Sequence, residues 1–450
     1  MANVTETFVL DGSYRRHDRI VIAGSPLRLF RLSAAGCRVV EAIEQRRAPP
    51  AGHAKLTSRL VDAGAIHPTP TDSPFTTADV TVVVPAYGAQ PGITQGGDSE
   101  TIVVDDGTDP PLATMPGRRT LRLPSNRGPA AARNAGLAEV TTPLVAFVDT
   151  DVDLNDHWLD ALLPHFSDPR VALVAPRVRS ADRRTTIATY ETTRSPLDLG
   201  SAPARIAAGS RVSYVPAAAV VARTDVVRDI GGFDETMRSG EDVDLVWRLL
   251  EAGHRCRYEP ASTVHHRPRA TFSEWARQRT TYGRSAAALD RKHPGAVAPL
   301  RMSGWSAAVW ALVLVRRPVA AAAVATGTTV ALRRKLGDLP AKESMRLAGL
   351  GHLHAGRQVA GSITRAWWPL ALVVALLVRR SRPIVLAAAT VPPAVDWLAG
   401  RTSLGPVPYV ALRVADDVAY ATGVWMGVIE QRRMGALTPK FTNWPGRGVG

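Results

Sequence analysis

The sequence is poor in cysteine, in acidic residues relative to basic ones, and in long uninterrupted apolar runs. It has two cysteines, Cys37 and Cys256, which excludes a disulfide-stapled secreted scaffold and favours a reducing compartment. No apolar run reaches the roughly 20 residues of a membrane-spanning helix. The first 16 residues have no continuous apolar core, so no signal peptide is expected there.

The chain has 450 residues, enough for two or three domains of about 100–200 residues each. Lys and Arg total 55 against 40 Asp and Glu, a formal net charge of +15. This excess favours contact with phosphates, nucleic acid or an anionic membrane surface. The basic residues cluster beside apolar runs and do not interleave with aromatic residues, which argues against a nucleic-acid partner.

Residues 1–76 are predicted to form a small winged-helix-like domain for peptide recognition. Short β-type runs come first, followed by two helical patterns; Ser33 is the predicted N-cap of the first, and Gly64 ends the second. The chain then returns through a short apolar segment to a linker rich in Pro, Thr and Ser over residues 68–77. A purely structural appendage is the alternative interpretation of this region.

Three apolar runs, at residues 80–85, 101–105 and 144–148, predict buried strands that each end in a polar loop. A crossover lies between the first two, and a helix is predicted between the second and third. This order is typical of an α/β sheet that binds a nucleotide. The crossover at residues 88–100 is Gly-rich and has only about the dozen residues that a parallel connection requires.

Acidic residues mark two positions in this α/β region. Asp149, Asp151 and Asp153 follow the strand at 144–148, where carboxylates can hold a hard divalent cation and, through it, the phosphates of a nucleotide. A solvated acidic turn is the alternative. Glu241 and Asp242 begin an amphipathic helix, where acids also stabilise the positive end of the helix dipole.

The C-terminal region, residues 301–450, is predicted to be helical and membrane-associated. Its four apolar runs, at 306–315, 319–332, 366–378 and 384–395, alternate with clusters of arginine. Short apolar helices flanked by arginine suit an interfacial or re-entrant anchor on an anionic leaflet, since spanning would place charges in mid-segment. A helical hairpin buried in a soluble domain is the alternative.

Five motifs between Val80 and Pro294 together resemble the family 2 glycosyltransferases of the GT-A fold, and they occur in that family's order. They are Val82-Val-Val-Pro-Ala-Tyr87, Ile102-Val-Val-Asp-Asp-Gly-Thr108, Asn126-Arg-Gly-Pro-Ala-Ala-Ala-Arg-Asn-Ala-Gly136, Phe147-Val-Asp-Thr-Asp151, and Gly232-Phe-Asp-Glu235 with Gly240-Glu-Asp-Val-Asp-Leu245. The resemblance implies an α/β GT-A nucleotide-sugar-binding fold over residues 77–300. The short crossover at 88–100 departs from the family's longer helical one.

The resemblance also implies roles for individual residues. Asp242 occupies the position of the catalytic base, with Glu241, Phe233 and Asp234 on the acceptor side. Asp151 would bind Mg²⁺ or Mn²⁺, Asp149 would share the metal or face the ribose, and His265 or His266 would add a nitrogen ligand. The implied binding residues for a UDP-sugar are Pro85, Tyr87, Asp105, Asp106, Arg127, Arg133, Asp149 and Thr150.

Within the family, three regions are similar to the glycosyltransferases of the mycofactocin system: residues 258–267, Tyr282-Gly283 and the N-terminal domain. That similarity implies inverting transfer of β-linked glucose from UDP-glucose to a peptide-derived redox cofactor, at the cytoplasmic face of the cell membrane. The alternatives are the same chemistry on a lipid-linked or cell-wall glycan, and a non-catalytic scaffold that binds peptide and nucleotide sugar.

Overall fold

A computed structural model of the chain describes residues 7–88, 98–180, 185–400 and 402–442. The predicted short crossover at 88–100 therefore falls largely outside the described residues. The chain forms two compact units, one of Met1–Arg183 with Arg194–Pro268 and the other of Arg184–Thr193 with Arg269–Gly450. The division at residues 76 and 300 stays a prediction; residues 1–76 share the first unit with the central sheet.

The N-terminal part of the first unit has two helices beside short strands. The Ser33 side chain accepts a hydrogen bond from the Gly36 N–H and caps the first helix, while Gly64 ends the second in a left-handed conformation, both as predicted. β1 pairs with β5, and β2, β3 and β4 form a second antiparallel sheet. The elements are β1 Phe8–Leu10, β2 Arg15–His17, β3 Ile20–Ala23, β4 Arg28–Arg31, α1 Ala34–Glu44, α2 Ala54–Ala63 and β5 Ile66–Pro68.

A nine-stranded mixed sheet makes up the rest of the first unit, and the predicted α/β fold is confirmed. Its strand order is β10-β14-β11-β13-β9-β6-β7-β8, with β12 paired to β14. The elements are β6 Val80–Ala86, β7 Glu100–Asp105, β8 Arg119–Arg122, α3 Pro129–Glu139, β9 Leu144–Val148, β10 Val152–Asp153, β11 Val171–Ser180, β12 Ala204–Arg205, β13 Ala219–Arg223, α5 Thr224–Asp229, α6 Glu241–Glu251 and β14 Arg255–His266. Helix α4, Thr186–Arg194, lies almost wholly in the second unit.

Strands β6, β7, β8 and β9 run parallel, so the loops that follow them meet at one edge of the sheet. The side chains of β6, β7 and β9 are almost wholly buried, which explains the uninterrupted apolar runs in the sequence. Helix α3 packs closely on this sheet. A Cβ at Gly136 would lie 2.3 Å from Val83 Cγ1, so only glycine permits this approach.

The second unit consists mainly of helices. Helices α7 and α13 touch through backbone atoms: a Cβ at Gly283 would lie 1.9 Å from the Tyr420 carbonyl oxygen, and one at Gly423 1.9 Å from that of Thr280. The elements are α7 Phe272–Lys292, β15 Arg301–Ser303, α8 Gly304–Leu314, α9 Pro318–Lys335, α10 Ala341–Arg365, α11 Trp368–Leu377, α12 Arg382–Leu398, α13 Pro406–Gln431 and β16 Lys440–Thr442.

None of the described helices is by itself long and apolar enough to cross a membrane. Helices α10 and α11 pass that test only as a pair, and they are bent by 85° at the break between them. The predicted apolar runs correspond to α8, α9, α11 and α12. Helices α10 and α13 were not predicted from the sequence.

Candidate active site at the carboxyl edge of the sheet

Asp105 lies at the end of β7, and its carboxylate is fully occupied by the loop that follows. It accepts hydrogen bonds from the N–H groups of Thr108 (2.9 Å) and Leu112 (3.3 Å), and it pairs with Arg122 at 2.9 Å. Burial acts to raise the pKa of Asp105, but the hydrogen bonds from Thr108 and Leu112 and the charge of Arg122 lower it below its ordinary value. Asp105 is therefore an ionised carboxylate that shapes this loop.

Asp106 holds the loop that precedes α3. It is buried, and its two carboxylate oxygens accept the N–H groups of Arg127 and Gly128, each at 2.8 Å. The Arg127 side chain points elsewhere and forms a 2.6 Å ion pair with Glu235 at the surface. The structure thus shows both residues in loop-stabilising contacts; their implied roles in nucleotide binding stay predictions.

Arg133, on α3, joins two carboxylates that are far apart in the sequence. One terminal nitrogen contacts Asp149 Oδ1 at 2.7 Å, and the other contacts Glu241 Oε1 at 2.7 Å. The guanidinium is buried and also lies 5.3 Å from the centre of the Phe233 ring. Burial alone would lower the pKa of Arg133, but the two carboxylates raise it. Both of its terminal nitrogens contact protein carboxylates. Its implied role in binding the nucleotide sugar stays a prediction.

Asp242 lies beside Glu241 in the first turn of α6, after Gly240 with a φ of +79°. Its Oδ2 accepts the N–H of Ala217 at 3.2 Å, and its Oδ1 accepts that of Val243 at 2.8 Å. Burial and the neighbouring Glu241 carboxylate raise the pKa of Asp242 to about 7, although Arg133 and the backbone hydrogen bonds oppose the shift. The side chain is only half-buried, so the carboxylate is both perturbed and accessible.

Asp151 contacts His266, and this contact distinguishes between the two candidate metal ligands, His265 and His266. The distance from Asp151 Oδ2 to His266 Nε2 is 3.2 Å. His266 pairs with Val152 in the β10–β14 ladder, while His265 pairs with Asp153. Because side chains alternate faces along a strand, only one of the two histidines can point toward Asp151. The structure assigns that position to His266.

The Asp151–His266 pair fits two neighbouring ligands of one cation. Adjacent ligands of an octahedral ion with bonds of about 2.1 Å lie about 3 Å apart. Across the described ranges, no group of three or more His, Cys, Asp or Glu side chains is arranged to hold a metal ion. An ion at this pair would take its other ligands from substrate phosphates and water, as Mg²⁺ commonly does.

Phe233 is buried, and its ring meets Phe147 edge-on with the ring centres 4.9 Å apart. Its implied place on the acceptor side stays a prediction. Asn134 was missed by the sequence reasoning. Its side chain accepts the Phe233 N–H and donates to the Phe233 carbonyl, both at 2.8 Å. The signal was present in the Arg-Asn-Ala-Gly motif of α3.

The remaining predicted residues lie along the same edge of the sheet. Pro85 is half-buried in β6, and Tyr87, just beyond that strand, is 61% exposed. Thr150 is half-buried in the loop between Asp149 and Asp151. Asp234 accepts hydrogen bonds from the N–H and hydroxyl of Thr236, which shape its turn. The edge thus brings together the carboxylates that the sequence placed at 149, 151, 241 and 242.

Residues 81–226 match the family model for glycosyl transferase family 2. The chain is 42% identical over 444 residues to the pre-mycofactocin glycosyltransferases of two Mycobacterium tuberculosis strains, CDC 1551 / Oshkosh and H37Rv, covering 94% of each chain. It is 29% identical over 210 residues to the succinoglycan biosynthesis protein ExoO of Rhizobium meliloti, covering 42% of this chain and 60% of that protein.

Among solved structures, the mannosyltransferase PcManGT from Pyrobaculum calidifontis, in complex with GDP-Man and Mn²⁺, is 18% identical. The match covers 69% of this chain and 84% of that one, with a TM-score of 0.36.

Proposed function

The chain belongs to glycosyltransferase family 2, and we propose that it is an inverting, metal-dependent hexosyltransferase that glycosylates a peptide-derived precursor of the mycofactocin cofactor. The donor that we propose is UDP-glucose, and the product is a β-glucoside. Its GT-A fold supplies the donor cleft, and the M. tuberculosis relatives that it resembles over 94% of its length are named for the pre-mycofactocin acceptor.

One observation carries the proposal: Arg133 links Asp149 at the end of β9 to Glu241 at the start of α6. Through this link, the carboxylates beside the donor and the carboxylate beside the acceptor belong to one cleft. Inversion in a single displacement needs one base near the acceptor hydroxyl and no covalent nucleophile.

Asp242 is the better base of the two neighbouring acids. Glu241 is buried and its Oε1 is paired with Arg133, which makes it less available to an acceptor hydroxyl than the half-buried Asp242. Asp242 is half-buried with a pKa raised to about 7, so it is partly ionised at neutral pH and still basic enough to take a proton. Its hydrogen bonds from Ala217 and Val243 fix the carboxylate in one orientation.

Asp151 and His266 would hold a divalent cation, Mg²⁺ or Mn²⁺. When bound, this cation offsets the negative charge that develops on the departing diphosphate. Asp149 stays anchored to Arg133 beside them, where it contributes charge and orientation. In the proposed site, Asp149 is held by Arg133, and Asp151 acts together with His266 as a cation ligand.

The N-terminal domain would present the peptide acceptor, and it is bound firmly to the catalytic sheet. Arg255 of β14 pairs with Asp62 of α2 at 2.6 Å, and the N–H of Arg211 donates to the Ser25 hydroxyl at 2.6 Å. A recognition domain that is fixed in this way can hold an acceptor in a constant position relative to the cleft.

The test is transfer by the purified full-length protein from a panel of UDP- and GDP-sugars to the peptide-derived precursor, with and without chelator. We expect UDP-glucose to be preferred and chelator to abolish transfer. Asp242→Asn should lower turnover by about 100-fold or more while UDP binding is retained, because the base is lost and the donor site is intact. Asp160→Asn, at an exposed surface pair, is the matched control.

The rival acceptor is a lipid-linked or cell-wall glycan, which the similarity to a succinoglycan biosynthesis protein favours. The same assay with glycan acceptors separates the two. Turnover on the glycan with none on the peptide would overturn the proposed acceptor, whereas UDP binding without turnover on either would indicate a binding scaffold.

A further inference from the structure

Two helix–helix connections of the second unit meet in space. One follows α8 and contains Arg316, whose φ of +61° turns the chain sharply. The other follows α11. The two are joined by a 2.9 Å hydrogen bond from Arg316 Nη2 to the carbonyl oxygen of Arg380. Residues 313–319 and 376–386 therefore form one continuous patch, called the basic apolar surface below.

Large apolar side chains project from this surface. Val319 is 83% exposed, Leu377 79%, and Val315 and Leu376 66% each. Helix α11 has no buried residue at all. Soluble proteins rarely leave a contiguous apolar patch of this kind uncovered, so it indicates a surface that is covered in use.

The charges on the surface are all positive. Its exposed arginines are Arg316, Arg317, Arg379, Arg380 and Arg382. No Asp or Glu occurs anywhere in residues 291–337 or 344–395. Arg382 folds back on α11, and its Nε donates to the Ala375 carbonyl at 3.0 Å. Long basic side chains with their stems along apolar helices are typical of the boundary between lipid tails and headgroups.

We propose that the basic apolar surface docks on an anionic lipid bilayer, with the apolar tips inserted in one leaflet and the arginines at the headgroups. Charge complementarity selects this occupant. A second copy of the same surface would bring like charges together in an apolar contact, which is unfavourable. This surface is the physical basis for the predicted location at the cytoplasmic face of the cell membrane, and it does not depend on the proposed reaction.

The test is flotation of the full-length protein with vesicles of phosphatidylcholine alone or mixed with phosphatidylglycerol. We expect strong partitioning only with the anionic lipid, and weaker partitioning at high salt, because surface electrostatics are screened. The emission of Leu377→Trp, after subtraction of the wild-type spectrum from the ten native tryptophans, should shift to the blue with the anionic vesicles, because the added ring enters the leaflet.

Matched variants test the two components separately. Arg379→Gln/Arg380→Gln should reduce partitioning by roughly tenfold or more. Arg277→Gln/Arg291→Gln removes the same charge from exposed positions on α7 and should leave it nearly unchanged. Leu377→Ser should reduce partitioning by roughly tenfold, because it removes inserted apolar area. Leu27→Ser, at a residue 50% exposed in the first unit, is its control.

Three results would overturn the proposal. One is equal partitioning with neutral and anionic vesicles, and another is an equal loss in the Arg277/Arg291 control. The third is concentration-dependent self-association that Leu377→Ser abolishes while anionic vesicles bind no protein, which would identify the occupant as a second copy of the chain. Circular dichroism of each variant verifies that lost binding is not lost folding.

Discussion

At the residue scale, burial of Asp242 has opposite effects on the fold and on the reaction. The folded protein holds the Asp242 pKa at about 7, whereas an unfolded Asp has a pKa near its ordinary value of 3.8. Between these values the folded state binds the extra proton, so this group's contribution to the free energy of unfolding falls as pH rises through that range. The same shift would suit Asp242 to the proposed role of catalytic base at neutral pH.

Two results follow for Asp242. The kcat/KM for the acceptor should fall about tenfold per pH unit below about pH 7 and level off above it, because only the ionised base accepts a proton.

Asp242→Asn should raise the melting temperature at pH 8 and change it little at pH 4, because the amide removes a buried charge that exists only at the higher pH. A lower melting temperature at pH 8 would contradict this assignment.

The buried guanidinium of Arg133 forms two ion pairs, a buried one with Glu241 and a partly exposed one with Asp149. Arg133→Gln should lower the free energy of unfolding by about 3 kcal/mol in urea titrations, because it leaves two carboxylates without their cation. Arg119→Gln, which breaks an exposed pair with Glu139, should lower it by less than about 1 kcal/mol. Adding Glu241→Gln to Arg133→Gln should restore part of the loss; a further loss would show that the pairing is not the cause.

His265 and His266 are adjacent, so they provide a matched comparison. His266→Ala and Asp151→Asn should weaken Mn²⁺ binding in the presence of UDP by about 10-fold or more, as measured by calorimetry or electron paramagnetic resonance. His265→Ala should leave it within a few-fold of the wild-type protein. Equal effects of the two histidine variants would remove His266 from the proposed cation site.

Sequence reasoning located the carboxylates at this scale but not their partners. Asp149, Asp151 and Asp242 were predicted from motifs, and the contacts of Arg133 with Asp149 and Glu241 bring the segments that carry them together. The Arg133–Glu241 pair joins positions 108 residues apart, which no local pattern reveals. The choice between His265 and His266 depends on the register of β14, and that register is set by its neighbour β10.

At the scale of elements, strands were predicted well because burial on both faces leaves an apolar run that propensity alone can identify. The β9 strand has the predicted bounds, Leu144–Val148. Helix α13 was missed because Gly423 and Gly427 and two buried acids, Asp416 and Asp417, interrupt its apolar pattern. Those glycines are explained only by tertiary packing, since they let α13 touch α7.

The packing of α7 on α13 can be tested with one methyl group. Gly423→Ala should lower the free energy of unfolding by about 2 kcal/mol or more, because its Cβ would meet the Thr280 carbonyl oxygen at 1.9 Å. Gly361→Ala, on α10 with no atom within 4 Å of its Cβ, should raise it by about 0.5–1 kcal/mol by restricting the unfolded chain. Chemical denaturation measures both, and an equal effect would refute the close contact.

At the scale of the whole molecule, the proposed catalytic residues and the proposed lipid-binding surface are different sets of residues. Asp242, the candidate cation ligands and Arg133 lie in the first unit, and the basic apolar surface lies in the second. Asp242→Asn should therefore partition onto anionic vesicles like the wild-type protein. Arg379→Gln/Arg380→Gln should keep its turnover on a water-soluble acceptor within about twofold, and a large loss there would show that the two properties are coupled.

The shared guanidinium of Arg133 leaves the cleft short of positive charge. Four acids, Asp149, Asp151, Glu241 and Asp242, lie near Arg133, whose terminal nitrogens are already engaged, and near Arg267, which also pairs with Asp153. The carboxylates would repel the negative diphosphate of a nucleotide that carries no cation. We therefore expect the cation to bind together with the nucleotide or before it. The affinity for UDP should then be lower in the presence of chelator than in the presence of the cation. The difference between the two affinities measures the repulsion that the cation offsets.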